Sequence, residues 1–235
     1  MRKNILITGE PKSGKSILLE KVISHFSNKL GFLTKEIRKN NVRVGFEMIL
    51  DSNKKVVIAN VDNKSEYKVG KYFVYPKQVD MLLNDFHTPS NNTDLLYVDE
   101  IGQMQLLSPV FRTIIKNFLD AGNTCLATIT SVYEDDFTQA LKIRQDVILV
   151  IITPDTREQK IEFVKQLLKK IEKAKRYITE PERWIFKDNT HVVLKSEHGE
   201  RKLILKDCSW NCDCEFFRAH NVCSHCLAIE DVVIK

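Results

Sequence analysis

The chain has 235 residues, 43% of them hydrophobic and 29% charged, and a formal net charge of +5. That balance describes an ordinary globular protein, long enough for one domain or two. No apolar run approaches the roughly 18 residues of a membrane-spanning helix, and the first apolar stretch is too short for a secretory signal, so a cytoplasmic protein without a membrane partner is expected. In that compartment six cysteines point to metal binding or chemistry in preference to disulfides, and five of them fall between Cys208 and Cys226. The charge is unevenly spread: residues 157–183 hold nine basic against five acidic side chains, whereas residues 184–235 hold seven against eight.

In chain order, Asn4–Thr8 is a short apolar run that predicts a buried strand. It leads at once into Gly9-Glu10-Pro11-Lys12-Ser13-Gly14-Lys15-Ser16, which fits G-x-x-x-x-G-K-S/T, the phosphate-binding loop. The pattern has a chemical reason. Gly9 and Gly14 let the backbone curl until successive N–H groups point inward at phosphate oxygens. A helix beginning near Lys15, with Ile17, Leu18, Val22 and Phe26 near helical spacing, adds the positive end of its dipole. Lys15 supplies a charge for the β- and γ-phosphates, and the Ser16 hydroxyl is expected to hold Mg²⁺.

A reversal near Leu30-Gly31 is expected to open a strand over Gly31–Ile37. Asn40-Asn41 and Asp51-Ser52-Asn53 then read as tight turns, giving antiparallel hairpins through Val42–Leu50 and Val56–Ala59. Pro76 starts a helix through Leu83, and a polar loop at Thr88–Asn92 precedes the continuous apolar run Leu95–Val98, the mark of a central parallel strand. Helix and strand alternate afterwards: Pro109–Ala121, Thr124–Ile129, Asp135–Lys142, Val147–Ile152, and a long helix from about Thr156 to Arg176. This order predicts a doubly wound α/β sheet with an antiparallel extension.

Asp99-Glu100 ends the Leu95–Val98 run. Given the phosphate loop, Asp99 is placed to reach the Mg²⁺ beside Ser16 from a neighbouring strand, and Glu100 to orient and deprotonate the attacking water. The run Val98–Ser108, together with Gly31–Arg38, Arg43–Phe46, Val69–Tyr72, Ala127–Ile129 and Asp155–Arg157, resembles the THEP-type (cancer-related) nucleoside-triphosphatases over roughly residues 1–170. The resemblance implies a RecA-like P-loop fold that hydrolyses ATP and GTP with Mg²⁺. This chain departs from the pattern at Lys12, where members often have glycine, and at Gln103 and Gln105, where they typically carry lysine and glutamate. Arg38, Arg43, Arg112, Arg144 and Arg157 are candidates for meeting the charge on a phosphoryl group in flight. Arg157 follows the last strand on the nucleotide edge and is expected to contact base or ribose.

Along Lys160–Arg176, Ile161, Val164, Leu167, Leu168 and Ile171 make an apolar face, and lysines fill much of the rest. This segment reads as a docked amphipathic helix, or as a polyanion-binding stripe. Thr179-Glu180-Pro181-Glu182 breaks the pattern, so the expected domains are 1–178 and 184–235. The second segment, with strands expected at Trp184–Phe186, Val192–Lys195 and Lys202–Leu205, is too small to bury a secure core unaided. Cys212, Cys214, Cys223 and His225 offer a tetrahedral, closed and therefore structural Zn²⁺ site, with Cys208, His220 and Cys226 as spare ligands. The C-x-C-x8-C-x-H arrangement, with Trp210 before it and Cys226–Ile229 after it, resembles the SWIM zinc finger, a module associated with nucleic-acid and protein binding. The sequence therefore predicts a Mg²⁺-dependent nucleoside-triphosphatase carrying a zinc-stapled α+β module that recruits nucleic acid or a protein. The alternatives are a phosphotransferase acting on a nucleotide or nucleic acid, and a weakly hydrolysing nucleotide-gated adaptor.

Overall fold

The computed structural model describes residues 1–84, 86 and 95–233, so the predicted loop Thr88–Asn92 lies outside the described residues. The chain forms two compact units: Lys3–Ile161, and Glu162–Lys235 together with Met1–Arg2.

The first unit is built on one mixed sheet. Its strands are β1 (Asn4–Thr8), β2 (Lys29–Lys39), β3 (Val42–Leu50), β4 (Lys55–Asn60), β5 (Tyr67–Val69), β6 (Tyr72–Val74), β7 (Leu95–Ile101), β8 (Thr124–Ile129) and β9 (Val147–Ile151). They lie in the order β5-β6-β4-β3-β2-β7-β8-β1-β9. From β2 to β9 every pairing is parallel, and from β2 to β5 every pairing is antiparallel. The division follows the sequence. Every residue of β1 and β8 is buried, as a strand covered on both faces requires, whereas β3 and β4 keep half-exposed positions. Buried Cys125 in β8 behaves as a small hydrophobe, and desolvation pushes its thiol up to about 12.

Helices α1 (Lys15–Ile23), α2 (Pro76–Asn84), α3 (Pro109–Asp120) and α4 (Asp136–Lys142) connect these strands. Their ends follow local chemistry. Ser108 caps α3 by accepting the Phe111 N–H, with Pro109 in the first turn, and Asp135 caps α4 by accepting the Thr138 N–H. Phe32, Phe111 and Phe118 fill the core beside β2, with Phe86 packed against them.

Several expectations need correction. Leu30-Gly31 lies inside β2, which begins at Lys29, because the parallel ladder with β7 already runs from Lys29 opposite Leu95. Helix α1 stops at Ile23, short of Phe26, and buries Leu18, Leu19, Val22 and Ile23, while Ile17 is exposed. The short strands β5 and β6 escaped the sequence reading, since three residues are too few to show a period.

Helix α5 (Arg157–Ile178) starts in the first unit and runs on into the second. The apolar face read from the sequence is buried at Ile161, Val164, Leu167, Leu168 and Ile171, and the stripe continues through Ala174 and Tyr177. The second unit adds an antiparallel sheet of β10 (Trp184–Phe186), β11 (His191–Ser196), β12 (Gly199–Lys206) and β13 (Ser209–Cys212), in that order. Two short helices follow, α6 (Glu215–His220) and α7 (Ser224–Val232). The Trp184 indole donates to the Tyr177 carbonyl at 2.9 Å, tying β10 to the end of α5. The turn expected over Glu197–Glu200 is tighter: Gly199 already pairs with Ser196.

Candidate functional site

Strand β1 delivers the chain to the carboxyl edge of the parallel sheet, where the loop Gly9–Gly14 turns into α1. Close packing fixes the glycines. A Cβ on Gly9 would lie 2.2 Å from the Ile152 carbonyl oxygen, and Gly14 has φ +98°. Lys12 has φ +69°, a conformation that glycine adopts freely and other residues rarely, so a side chain stands here in a backbone shape suited to glycine. No side chain caps α1. Its first-turn N–H groups are therefore left to an anion. The Ser13 hydroxyl in the same loop is buried with no hydrogen-bond partner among the described residues, while Glu10, Pro11 and Lys12 are exposed.

The buried Lys15 ammonium donates to the Gly9 carbonyl at 2.9 Å and the Glu10 carbonyl at 3.4 Å, and stands 3.9 Å from Glu100 Oε1. Ser16 Oγ donates to Asp99 Oδ1 at 3.1 Å, and Thr128 Oγ1 donates to the same oxygen at 2.5 Å. Asp99 is only 2% exposed. Burial raises its pKa above the ordinary carboxylate value, and the Thr128 and Ser16 hydroxyls offset this in part. Glu100 is half-exposed, and desolvation raises its pKa while Lys15 lowers it less. The donor set of a hydroxyl and a buried carboxylate, both oxygen, suits a hard cation such as Mg²⁺.

Asp99 does not stand on a strand next to β1, as the sequence reading had it. Strand β8 lies between β1 and β7, and the gap is bridged by Ser16 from α1 and by Thr128 from β8 itself. Thr128 and Ser131, whose hydroxyl donates to the Gly9 carbonyl at 2.9 Å, were missed by sequence reasoning. The available signal was their position at the carboxyl end of a central strand, where such sheets place ligands.

Of the five candidate arginines, Arg157 lies against the loop: a Cβ on Gly14 would come within 2.5 Å of its Cδ. Its Nε also pairs with Glu158 Oε1 at 3.4 Å, and the other four are bonded to different partners. Arg38 and Arg43 bond Glu36, and Arg43 also bonds the Tyr72 hydroxyl. Arg112 holds Asp135 and the Leu106 carbonyl, and Arg144 holds Asp120 and Asp146. Of the two glutamines after Asp99, Gln105 is buried and donates to Thr34 Oγ1 at 3.0 Å, whereas Gln103 is exposed.

The sequence model of the family described as NTPase matches residues 4–167. The nucleoside-triphosphatase THEP1 of Thermotoga maritima is 34% identical over 166 residues, spanning 70% of this chain and 95% of that protein.

The chain belongs to the NTPase family.

The THEP1 of Natranaerobius thermophilus is 32% identical over 174 residues, covering 72% of this chain and 96% of the relative. The crystal structure of THEP1 from Aquifex aeolicus superposes with a TM-score of 0.58 at 26% identity, over 70% of this chain and 98% of that one. The chain is thus an enzyme of the nucleoside-triphosphatase family with an α/β P-loop fold and a mixed sheet. Among its described residues no helix is long and apolar enough to cross a membrane.

A cluster of soft donor side chains that could hold a metal ion lies in the second unit of this NTPase. Cys212 ends β13, Cys214 and Cys223 sit at the N-caps of α6 and α7, and His225 lies in the first turn of α7. All four are buried, with ligand atoms within 4.8 Å of one another. His225 Nδ1 is 3.4 Å from Cys212 Sγ and 3.7 Å from Cys223 Sγ. Cys214 Sγ accepts the Phe217 N–H and Cys223 Sγ the Cys226 N–H, each at 3.4 Å, so backbone donors hold both sulfurs in place. Three sulfurs and one imidazole nitrogen make a donor set that suits Zn²⁺. Of the spare ligands, Cys208 and His220 are exposed, and Cys226 is buried.

Proposed function

We propose that the chain is a Mg²⁺-dependent nucleoside-triphosphatase, hydrolysing ATP or GTP in domain 1–178, and that domain 184–235 is a zinc-stapled module of the SWIM type that recruits a partner. The observation that carries the first part is the pairing of Ser16 and Thr128 on the buried oxygen of Asp99, beside a lysine that faces Glu100 across 3.9 Å. Gly9, Gly14 and the intervening Glu10, Pro11, Lys12 and Ser13 cradle the phosphates with backbone N–H groups, and Arg157 covers base or ribose. Ser16 and Asp99 would hold Mg²⁺, which would supply neutralisation of phosphate charge when bound.

Lys15 exchanges the Gly9 and Glu10 carbonyls for phosphate oxygens when a nucleotide enters. Glu100 accepts a proton from the attacking water while the water oxygen bonds to the γ-phosphorus and the bridging bond to the β-phosphate breaks. A carboxylate whose pKa is raised by burial is a stronger base than a solvated one, and so better suited to this step. The test is phosphate release from ATP and GTP, with Mg²⁺ and with chelator. Activity that needs Mg²⁺ and is abolished by Lys15→Ala is expected. Release by the Lys15→Ala chain equal to that of the parent would refute the site.

For the second domain, the buried three-sulfur, one-nitrogen cluster supports a closed, structural Zn²⁺ with Cys212, Cys214, Cys223 and His225 as ligands. The basic face of α5 is only partly available to nucleic acid, because Lys173 and Arg176 bond Glu197 and Lys175 bonds Glu172. Metal analysis of the purified chain tests the zinc assignment, with about one Zn expected if the tetrahedral site is occupied.

A further inference from the structure

The second unit contains a pocket of about 450 Å³ that opens beside the candidate zinc cluster, with Cys214, Cys223 and His225 in its lining. Lys170 and Lys173 of α5, His198 and Arg201 from the β11–β12 hairpin, and Phe216 and His220 of α6 line it, and the zinc-ligand segment forms one wall. Its volume lies in the range of small-molecule sites, far more than a lone inorganic ion fills.

The lining combines two chemistries. Glu215 is its one carboxylate, against two lysines and an arginine. Lys173 is already bonded to Glu197 at 3.0 Å, whereas among the described residues no carboxylate pairs with Lys170 or Arg201. Beside these cations sits an aromatic cluster. Phe216 stacks on Phe163 with centroids 6.4 Å apart and planes 11° off parallel, and Lys170 Nζ lies 4.8 Å from its ring centroid. His220 packs 4.5 Å from Phe216 and 4.8 Å from Phe163, and remains exposed.

Resting on the reading of a closed, four-ligand zinc site, we infer that this pocket binds a nucleoside phosphate, separately from the phosphate loop. A zinc ion with four protein ligands keeps no position for an outside ligand, so the anion falls to Lys170 and Arg201. The exposed His220 ring, backed by Phe216 and Phe163, is a stacking surface for a base. A carboxylate-rich peptide would use the cations and leave the aromatic surface unused, and a bare phosphate would leave most of the volume unused. The same chemistry is offered by a free mononucleotide and by the 5′-phosphorylated end of a single strand.

The test follows the His220 ring resonances of the zinc-loaded full chain while AMP, a 5′-phosphorylated DNA tetranucleotide, inorganic phosphate or a poly-glutamate peptide is added. Saturable shifts with AMP or the tetranucleotide, and weaker ones with phosphate, are expected. If AMP matches the tetranucleotide the ligand is a free nucleotide; a clear preference for the tetranucleotide makes it a strand end. Lys170→Gln with Arg201→Gln should weaken binding by about tenfold or more, the scale of losing hydrogen bonds to charged groups. Lys170→Arg with Arg201→Lys should restore it, and ATP turnover should not change in either. Silent His220 resonances in a chain shown by metal analysis to hold zinc would overturn the pocket alone; in a chain found without zinc, they would overturn both readings. Shifts that persist in the double glutamine variant, or that poly-glutamate produces as strongly, would also overturn the nucleotide assignment.

Discussion

Glu100→Gln keeps the side chain's size and removes its ability to take a proton. In the parent, Glu100 Oε1 lies 3.9 Å from Lys15 Nζ. At that distance the bare attraction is about 1 kcal/mol in bulk water and about 4 kcal/mol at the effective dielectric of a protein surface. The half-exposed Glu100 falls between these limits, and the net effect of its surroundings is a raised pKa, so desolvation outweighs the attraction. Loss of the carboxylate therefore removes a group that competes with phosphate for Lys15. Equilibrium binding of a fluorescent ATP analogue should be unchanged, or tighter by about tenfold at most, given the lower part of that range. Single-turnover phosphate release should fall by about 10²–10⁴, the usual contribution of a positioned general base. Turnover equal to the parent would refute the base assignment. Loss of binding in step with turnover would refute it differently, making Glu100 a support of the loop.

Cys212→Ser should purify without zinc and lose resistance to proteolysis beyond Ile178, because an apparent metal-binding energy of about 10–16 kcal/mol is removed from a small core; a zinc-free but protease-resistant C-terminal segment would refute this. Asp99 makes a pH prediction. Its folded pKa is raised by burial, so its contribution to stability is fully present below the unfolded carboxylate value of about 3.9 and is lost as pH rises through the folded value. Metal-free Asp99→Asn should therefore melt above the parent at neutral pH, with the gap closing towards acid; a gap that ignores pH would contradict the burial argument. Arg157→Ala should weaken ATP binding by about threefold to tenfold, the scale of a stacking cation, with little change in single-turnover rate. Equal binding would remove Arg157 from the site.

Much of the candidate site was legible because its residues are adjacent in the chain. The phosphate loop, the Asp99-Glu100 pair and the Cys212–His225 ligand spacing each occupy one short segment, and a segment's spacing limits what its side chains can reach together. The central strands were legible for a related reason: complete burial demands continuous apolar runs, which β1, β7 and β8 supply. Composition and periodicity do not encode which strands become neighbours. Only the tertiary structure inserts β8 between β1 and β7, and with it Thr128 as the second hydroxyl on Asp99. Only the fold separates Arg157, laid along Gly14, from arginines that look equivalent in sequence and are bonded to Glu36, Asp135 or Asp146. The same holds for Lys170, Arg201 and His220. They lie far apart along the chain and share a pocket because α5, a hairpin and α6 pack in one unit, and long-range packing is the step that local sequence pattern leaves open.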